Sequence, residues 1–204
     1  MPSPLSPGRI AEVRAAIVAV AEHQAVALGL ERVSMHGIAR ALGWSATALY
    51  RYFDNKDAIL AAARAAAANR LSSRLEAALA GPGDIWARSR AVGQAYIAFA
   101  RAEPDAYKLL FALSQPASDD YPDLAAATAR ARANLTRYVE RLVAEGGVEA
   151  DADLLAHVFW AGLHGLVSLE MAGALTAESP AFEAIRHEMV ARLLRGGRKL
   201  GDGG

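Results

Sequence analysis

The chain contains no cysteine, so neither a disulfide nor a thiolate metal ligand enters any account of it, and the absence is neutral about compartment. No uninterrupted apolar run approaches the roughly 20 residues that a membrane-spanning helix needs, and no membrane association is expected. The opening residues Met1-Pro2-Ser3-Pro4-Leu5-Ser6-Pro7-Gly8 carry no apolar signal core and no cleavage site, so the expected compartment is the cytoplasm. β-Branched runs are scarce and no strand signal stands out. Net charge is also absent: 22 Lys and Arg balance 22 Asp and Glu, which at first counts against a nucleic-acid binder, whose domains ordinarily carry a basic footprint. Distribution matters more than the sum. Residues 1–53 hold Arg9, Arg14, Arg32, Arg40 and Arg51 against Glu12, Glu22 and Glu31, so this segment is mildly basic and the remainder mildly acidic.

What is present is a chain of 204 residues, 53% hydrophobic and 22% charged, long enough to bury a substantial core. Alanine, leucine and arginine dominate, and apolar residues recur at three- and four-residue spacing, which argues for an all-α fold. Capping and breaking residues predict helices at 8–28, 34–42, 46–52, from Asp54 or Asn55 to Leu79, and then at 84–102, 104–114, 121–145, 151–175 and 180–195. The breaks fall at Gly29, Gly43, Gly81-Pro82-Gly83, Glu103-Pro104, Gln115-Pro116, Gly146-Gly147 and Ser179-Pro180. The arm 1–8 and the glycine-rich tail from Gly196 are expected to be frayed.

Two short helices around a tight turn, from Ser34 to Phe53, have the size and punctuation of a helix-turn-helix. Ala39 is small where the helices cross, Gly43 supplies the turn, and Ile38, Leu42, Leu49 and Phe53 bury the inner faces. Ser45, Ala46, Thr47, Tyr50 and Tyr52 then face outward, with Arg51 beside them and Lys56 just beyond. Hydroxyls can bond phosphates or base edges, the Ala46 methyl can touch a thymine methyl, and the helix N-terminus attracts phosphate. Trp44 reads as a bulky plug between helices rather than a base-stacking residue. Ser34 and His36 stand at the start of the first short helix, where His36 either reaches a phosphate or is solvated.

The run Gly29…Ser34-Met35-x-x-Ile38-Ala39-x-x-Leu42-Gly43-x-Ser45-x-x-Ala48-Leu49-Tyr50-x-Tyr52-Phe53-x-Asn55-Lys56-Asp57-x-Ile59-Leu60 closely resembles the DNA-binding domain of TetR-family, tetracycline-repressor-like regulators. The resemblance implies that residues 45–51 are the recognition helix, that Tyr50 and Tyr52 lie against the sugar-phosphate backbone, and that Lys56 meets a phosphate. It departs from the common pattern at Ala25, where many relatives carry an aromatic, at Trp44, an aliphatic position, and at His36 and Gly37, often charged. The implied organisation is a helix-turn-helix domain at 9–55, a connecting helix at 56–80, and a C-terminal helical domain for dimerisation and effector binding at 84–195.

In that last segment Phe159-Trp160-Ala161-Gly162-Leu163-His164-Gly165 resembles the Trp-x-x-x-His-Gly signature of a TetR subgroup. Tyr107, Phe111, Trp160 and His164 are the candidate effector-pocket residues, suited to an apolar or aromatic molecule. His157 and His164 lie seven apart, yet only Asp153 and Glu170 are at hand as further ligands, so hydrogen-bonded structural histidines are expected rather than a metal site. No nucleophilic triad or paired-carboxylate arrangement can be assigned, so neither catalysis nor a cofactor is expected. The implied function is a homodimeric repressor on an inverted-repeat operator of double-stranded DNA, released by a small molecule. The alternative is a DNA-binding regulator without such an effector, constitutive or gated by a protein. The dimer contacts are expected from Leu163, Leu166, Val167 and Leu169 on one helix and Phe182, Ile185, Met189 and Leu193 on the next.

Overall fold

The structure is a computed structural model that describes residues 6–112, 120–145 and 148–196. Among the described residues the chain forms only helices: α1 (Pro7–Leu28), α2 (Met35–Ala41), α3 (Ala46–Leu49), α4 (Lys56–Leu79), α5 (Ile85–Ala102), α6 (Pro104–Leu110), α7 (Pro122–Ala144), α8 (Ala152–Met171) and α9 (Phe182–Gly196). Of the arm expected at 1–8, residues 1–5 lie outside the described residues and Pro7 and Gly8 belong to α1; most of the tail and the breaks at Gln115-Pro116 and Gly146-Gly147 also lie outside the described residues.

Local chemistry sets most boundaries. Ser6 caps α1 by accepting from the Arg9 amide at 3.3 Å, Pro7 sits where its missing N–H is not needed, and Gly29 ends the helix at φ +89°. Asn55 caps α4 by accepting from the Ala58 amide at 2.8 Å. A single 3₁₀ turn, Leu30–Arg32, which the periodicity does not reveal, follows α1. α3 has one turn of regular helix rather than the expected span to 52. α8 stops at Met171 instead of 175: Gly173 takes φ +67°, and the Ala174 amide reaches back to the Leu169 carbonyl at 2.9 Å.

Packing groups the described residues into two compact units: 6–70 with 103–112 and 120–129, and 71–102 with 130–145 and 148–196. The segments 56–80 and 84–195, as delimited from sequence punctuation, are each divided between them.

In the first unit Ile17 and Ala21 of α1, Ile38 of α2, Leu49 of α3 and Ile59 of α4 are fully buried in one cluster with Val33 and Phe53. Each such aliphatic side chain contributes about 1.5–3 kcal/mol by leaving water. A smaller cluster joins Ala61, Ala65 and Ala68 of α4 to Leu124 and Ala127 of α7, small residues at helical spacing that let two helices approach. Arg70 is held from two sides, its Nε donating to Glu103 at 2.6 Å and its Nη2 to Glu22 at 3.0 Å, and His23 pairs with Asp105 at 3.1 Å.

In the second unit α8 packs against α5 and α9, burying Ala156, Phe159, Leu163, Leu166 and Val167. Leu163, Leu166 and Val167 are therefore core of their own chain, which corrects their assignment to a dimer contact; Leu169 is half exposed. By length and composition α8 could cross a membrane, although Asp153, His157, His164 and Glu170 interrupt it. At Gly162 the Met189 thioether of α9 occupies the place a Cβ would take. Arg130 donates through Nε to Glu76 at 2.9 Å and the buried Asn134 amide adds a second donor at 2.9 Å.

Candidate DNA-binding site

The helix-turn-helix is built from caps and one left-handed glycine. Ser34 caps α2, its Oγ accepting from the Gly37 amide at 3.1 Å. At the other end Gly43 adopts φ +71°, and the Trp44 amide returns to the Ala39 carbonyl at 2.8 Å, which turns the chain sharply into α3. Gln24 of α1 donates to the Gly37 carbonyl at 3.1 Å. A Cβ on Gly37 would lie 3.3 Å from the Gln24 Oε1 and 3.2 Å from the Ser34 Oγ, so a side chain at this position would require both to give by a few tenths of an ångström.

Arg14 organises the far end of the unit and sequence reasoning missed it. Its guanidinium lies over the Phe53 ring, 4.0 Å from the centroid, and donates to the Tyr52 carbonyl, tying α1 to the segment that carries α3 into α4. The signal was present in the pattern. Arg14 stands three, four and seven positions before Ile17, Val18 and Ala21, so a cation shares the buried stripe of an otherwise apolar face.

The outer surface has a different character. Ser45, Thr47 and Tyr50 are exposed, and their hydroxyls have no hydrogen-bond partner among the described residues. Arg32, Arg40 and Arg51 are exposed and Lys56 partly so, and none meets an acid or a hydrogen-bond acceptor among the described residues. In the same unit Arg9, Arg14 and Arg70 are all engaged. Lys56 opens α4, where a cation opposes the helix dipole by about 0.3–1 kcal/mol. A local cost of that kind suits a group whose partner is an anion outside the chain.

Several expected positions differ. Trp44 is not a plug: it is 37% exposed, its ring 6.2 Å from that of Tyr52 at 32°, and with Ser45, Ala48, Arg51 and Tyr52 it borders a shallow open groove of about 320 Å³. Ala46, Leu42 and Tyr52 are half-buried and pack against the core cluster, leaving Ser45, Thr47 and Tyr50 as the outward side chains of α3 and its caps. With four helical residues α3 builds little macrodipole, so side chains rather than the helix end provide attraction. His36 is exposed. Ser34 is exposed too, but its hydroxyl already serves the cap.

The four effector-pocket candidates fall in different units. Tyr107 and Phe111 stack edge to face with centroids 4.9 Å apart in the first unit. Trp160 lies between His157 and His164 on α8 in the second, its ring 6.4 and 6.3 Å from theirs. His157 Nδ1 is 2.7 Å from the Asp153 carbonyl, His164 Nδ1 is 3.4 Å from the Tyr96 hydroxyl, and burial lowers the His164 pKa. Among the described residues no three His, Asp or Glu side chains cluster as metal ligands would.

Residues 17–63 match the family profile of bacterial regulatory proteins, tetR family, and residues 89–193 match that of the tetracyclin repressor-like C-terminal domain. The second match does not single out the Trp-x-x-x-His-Gly subgroup. No curated protein matches the chain. Among solved structures, one assigned to a regulatory protein, SCO4313, has a TM-score of 0.74 at 26% identity and covers 94% of this chain and 100% of that one. The fatty acid degradation regulator FadR from Bacillus halodurans gives a TM-score of 0.74 at 16% identity, covering 96% and 99%. PfmR from Thermus thermophilus, a TetR family transcriptional regulator, gives 0.67 at 23%, covering 90% and 99%. At those identities the last two speak for the fold alone.

Proposed function

The chain belongs to the TetR family of bacterial regulators and is a DNA-binding transcriptional regulator; on that premise we propose that it is a homodimeric cytoplasmic repressor, bound to an inverted-repeat operator and released from it by a small molecule. One observation carries the DNA-binding surface: the hydroxyls of Ser45, Thr47 and Tyr50 and the cations Arg40, Arg51 and Lys56 stand exposed or partly exposed around one short helix with no partner in their own chain among the described residues. Exposed polar groups with no partner in their own chain are hydrated and can exchange that water for phosphates and base edges. Ser45 and Thr47 are the base-reading candidates. Tyr50, Tyr52, Arg51 and Lys56 are the backbone-binding ones, with Ser34 and His36 at the margin and the Trp44 ring as an apolar wall beside them.

Two such surfaces need a second copy, and α8 offers the means. Leu154, Val158 and Leu169 recur on one face of that helix and are exposed, and a Cβ added to Gly165 on the same face would meet nothing within 4 Å. That stripe replaces the buried Leu163, Leu166 and Val167 as the proposed two-fold contact.

The test is an operator titration over a range of salt. Lys56→Ala should weaken binding to operator and unrelated duplex alike and lower the salt slope by about one. Thr47→Ala should instead reorder preference among operator variants, at about 1–3 kcal/mol for the base it reads. If neither substitution changes binding, the recognition surface lies elsewhere.

A further inference from the structure

The second unit contains a cavity of about 160 Å³ among α5, α7, α8 and α9. Its apolar wall includes Trp86, Tyr138, Phe159 and Leu163, the last two being the chain neighbours of Trp160 and His164. Two cations, Arg90 and Arg186, also line it, and no carboxylate does among the described residues. A larger open groove of about 400 Å³ in the first unit provides the contrast. Arg14, His23 and Arg70 line it, and each already meets a carbonyl or an acid, with Glu22 and Asp105 in the same lining.

Arg186 is 9% exposed. Its Nε donates to Glu183 at 2.8 Å, its Nη2 lies 2.7 Å from the same carboxylate and 3.1 Å from His187, and Nη1 has no partner among the described residues. Arg90 has no ion pair or hydrogen-bond partner at all among them. Two guanidinium groups therefore border one small apolar space with a single acid between them, that of Glu183, whose side chain is 55% exposed. Glu183 compensates the Arg186 charge, but the Arg186 Nη1 and the whole Arg90 guanidinium stay open, and a planar carboxylate matches the guanidinium fork. Volume sets the size of the rest, since a dry cavity of about 150 Å³ holds a single benzene ring.

We infer that this cavity binds a compact organic monocarboxylate, with a single ring or a short chain packed on Trp86, Tyr138 and Phe159 and the carboxylate held by Arg186 and Arg90. The inference rests on the effector reading above, narrows it to an anion, and moves the site from Trp160 and His164 to the side of α8 that carries Phe159 and Leu163. Long-chain acids and multi-ring drugs exceed the space.

Calorimetric titration of the full chain with benzoate, hexanoate and the neutral benzamide tests this, with operator affinity measured separately at saturating benzoate. Benzoate or hexanoate should bind, and benzamide should bind at least about tenfold more weakly, since charge-assisted hydrogen bonds are the strong ones. Arg186→Gln should remove binding. Because Arg186 is buried, the exposed Arg90→Gln is the control against misfolding, and it should weaken benzoate about fivefold or more at an unchanged melting temperature. Gly93 lines the cavity with only Leu163 Cδ1, at 3.8 Å, near a Cβ position, so Gly93→Val should exclude benzoate by occupying the space. Equal binding of benzamide and benzoate, or binding that ignores both Arg90→Gln and Gly93→Val, overturns the site, as does failure of both acids to bind. If benzoate binds with the expected arginine dependence and operator affinity does not move, the site stands and its role in operator release falls.

Discussion

The two units leave different things unpartnered. Around α3 the first unit leaves hydroxyls and cations open, whereas along α8 of the second the open face is apolar; elsewhere in that unit Arg88, Arg101, Arg130, Arg186 and Arg192 each hold an acid, and Arg90, Arg132, Arg137 and Arg141 hold none among the described residues. Under the proposed function the complements differ accordingly: an anionic polymer for one, a second apolar helix face for the other. Net charge is blind to this difference, because it sums engaged and unengaged groups alike.

Breaking the apolar side of the comparison should have the largest effect. Leu154→Asp with Leu169→Asp places charge on the α8 stripe, and sedimentation should show monomers at micromolar concentration. Operator affinity should drop by a factor of about 100 or more, because the second half-site no longer binds as part of one molecule. A dimer that survives both substitutions would mean that another face carries the contact.

Arg14→Ala comes next, since this cation is engaged in the manner of the second unit although it lies near the first unit's open surface. Losing its stacking on Phe53 and its bond to the Tyr52 carbonyl should cost about 2 kcal/mol in a denaturant melt and weaken operator binding as well. Unchanged stability would show that Arg14 is a surface group only.

Glu76→Gln tests the pairing within the second unit. Hydrogen bonds from Arg130 and Asn134 lower the Glu76 pKa from 4.5 to about 2. Because the folded value lies below the unfolded one, the stabilisation is complete above about 4.5 and is lost as pH falls through about 2. Urea melts of the variant should be weaker by about 1–2 kcal/mol at neutral pH and should show less decline across that acid window. An identical acid profile for variant and parent would remove Glu76 from the account.

The smallest expected effect belongs to His164. Burial lowers its pKa, so the folded chain favours the neutral ring and stability is lost as pH falls below the usual 6.5. The group is partly exposed, so the change should stay under about 1 kcal/mol. Melting temperatures between about pH 7.5 and 5.5, the range in which histidine titrates, should slope less in His164→Asn, and parallel slopes would assign the pH dependence to other groups.

Punctuation made the fold legible. Gly29, Gly43, Asn55 and the Gly81-Pro82-Gly83 break act through caps and backbone angles that a few adjacent residues determine, and the helices they bound lie close to the expected ones. Gly173 was less visible because Ala172 and Ala174 around it continue an apolar pattern, and only a left-handed glycine in place shows that the helix has ended. The outward placement of Ser45, Thr47 and Tyr50 was readable for the same local reason. Trp44 was not, since a large apolar side chain is assigned to the core by default while its exposure depends on how the turn presents it. The cavity was beyond pattern altogether. Trp86 and Arg186 stand 100 positions apart in the chain, and no periodicity relates them.

Gly162 sets what can stand between α8 and α9. The Met189 thioether occupies the place of a side chain that Gly162 lacks, so a residue with a Cβ there must turn that flexible side chain aside. The bare position on α8 is a socket for a side chain of α9 rather than spare room.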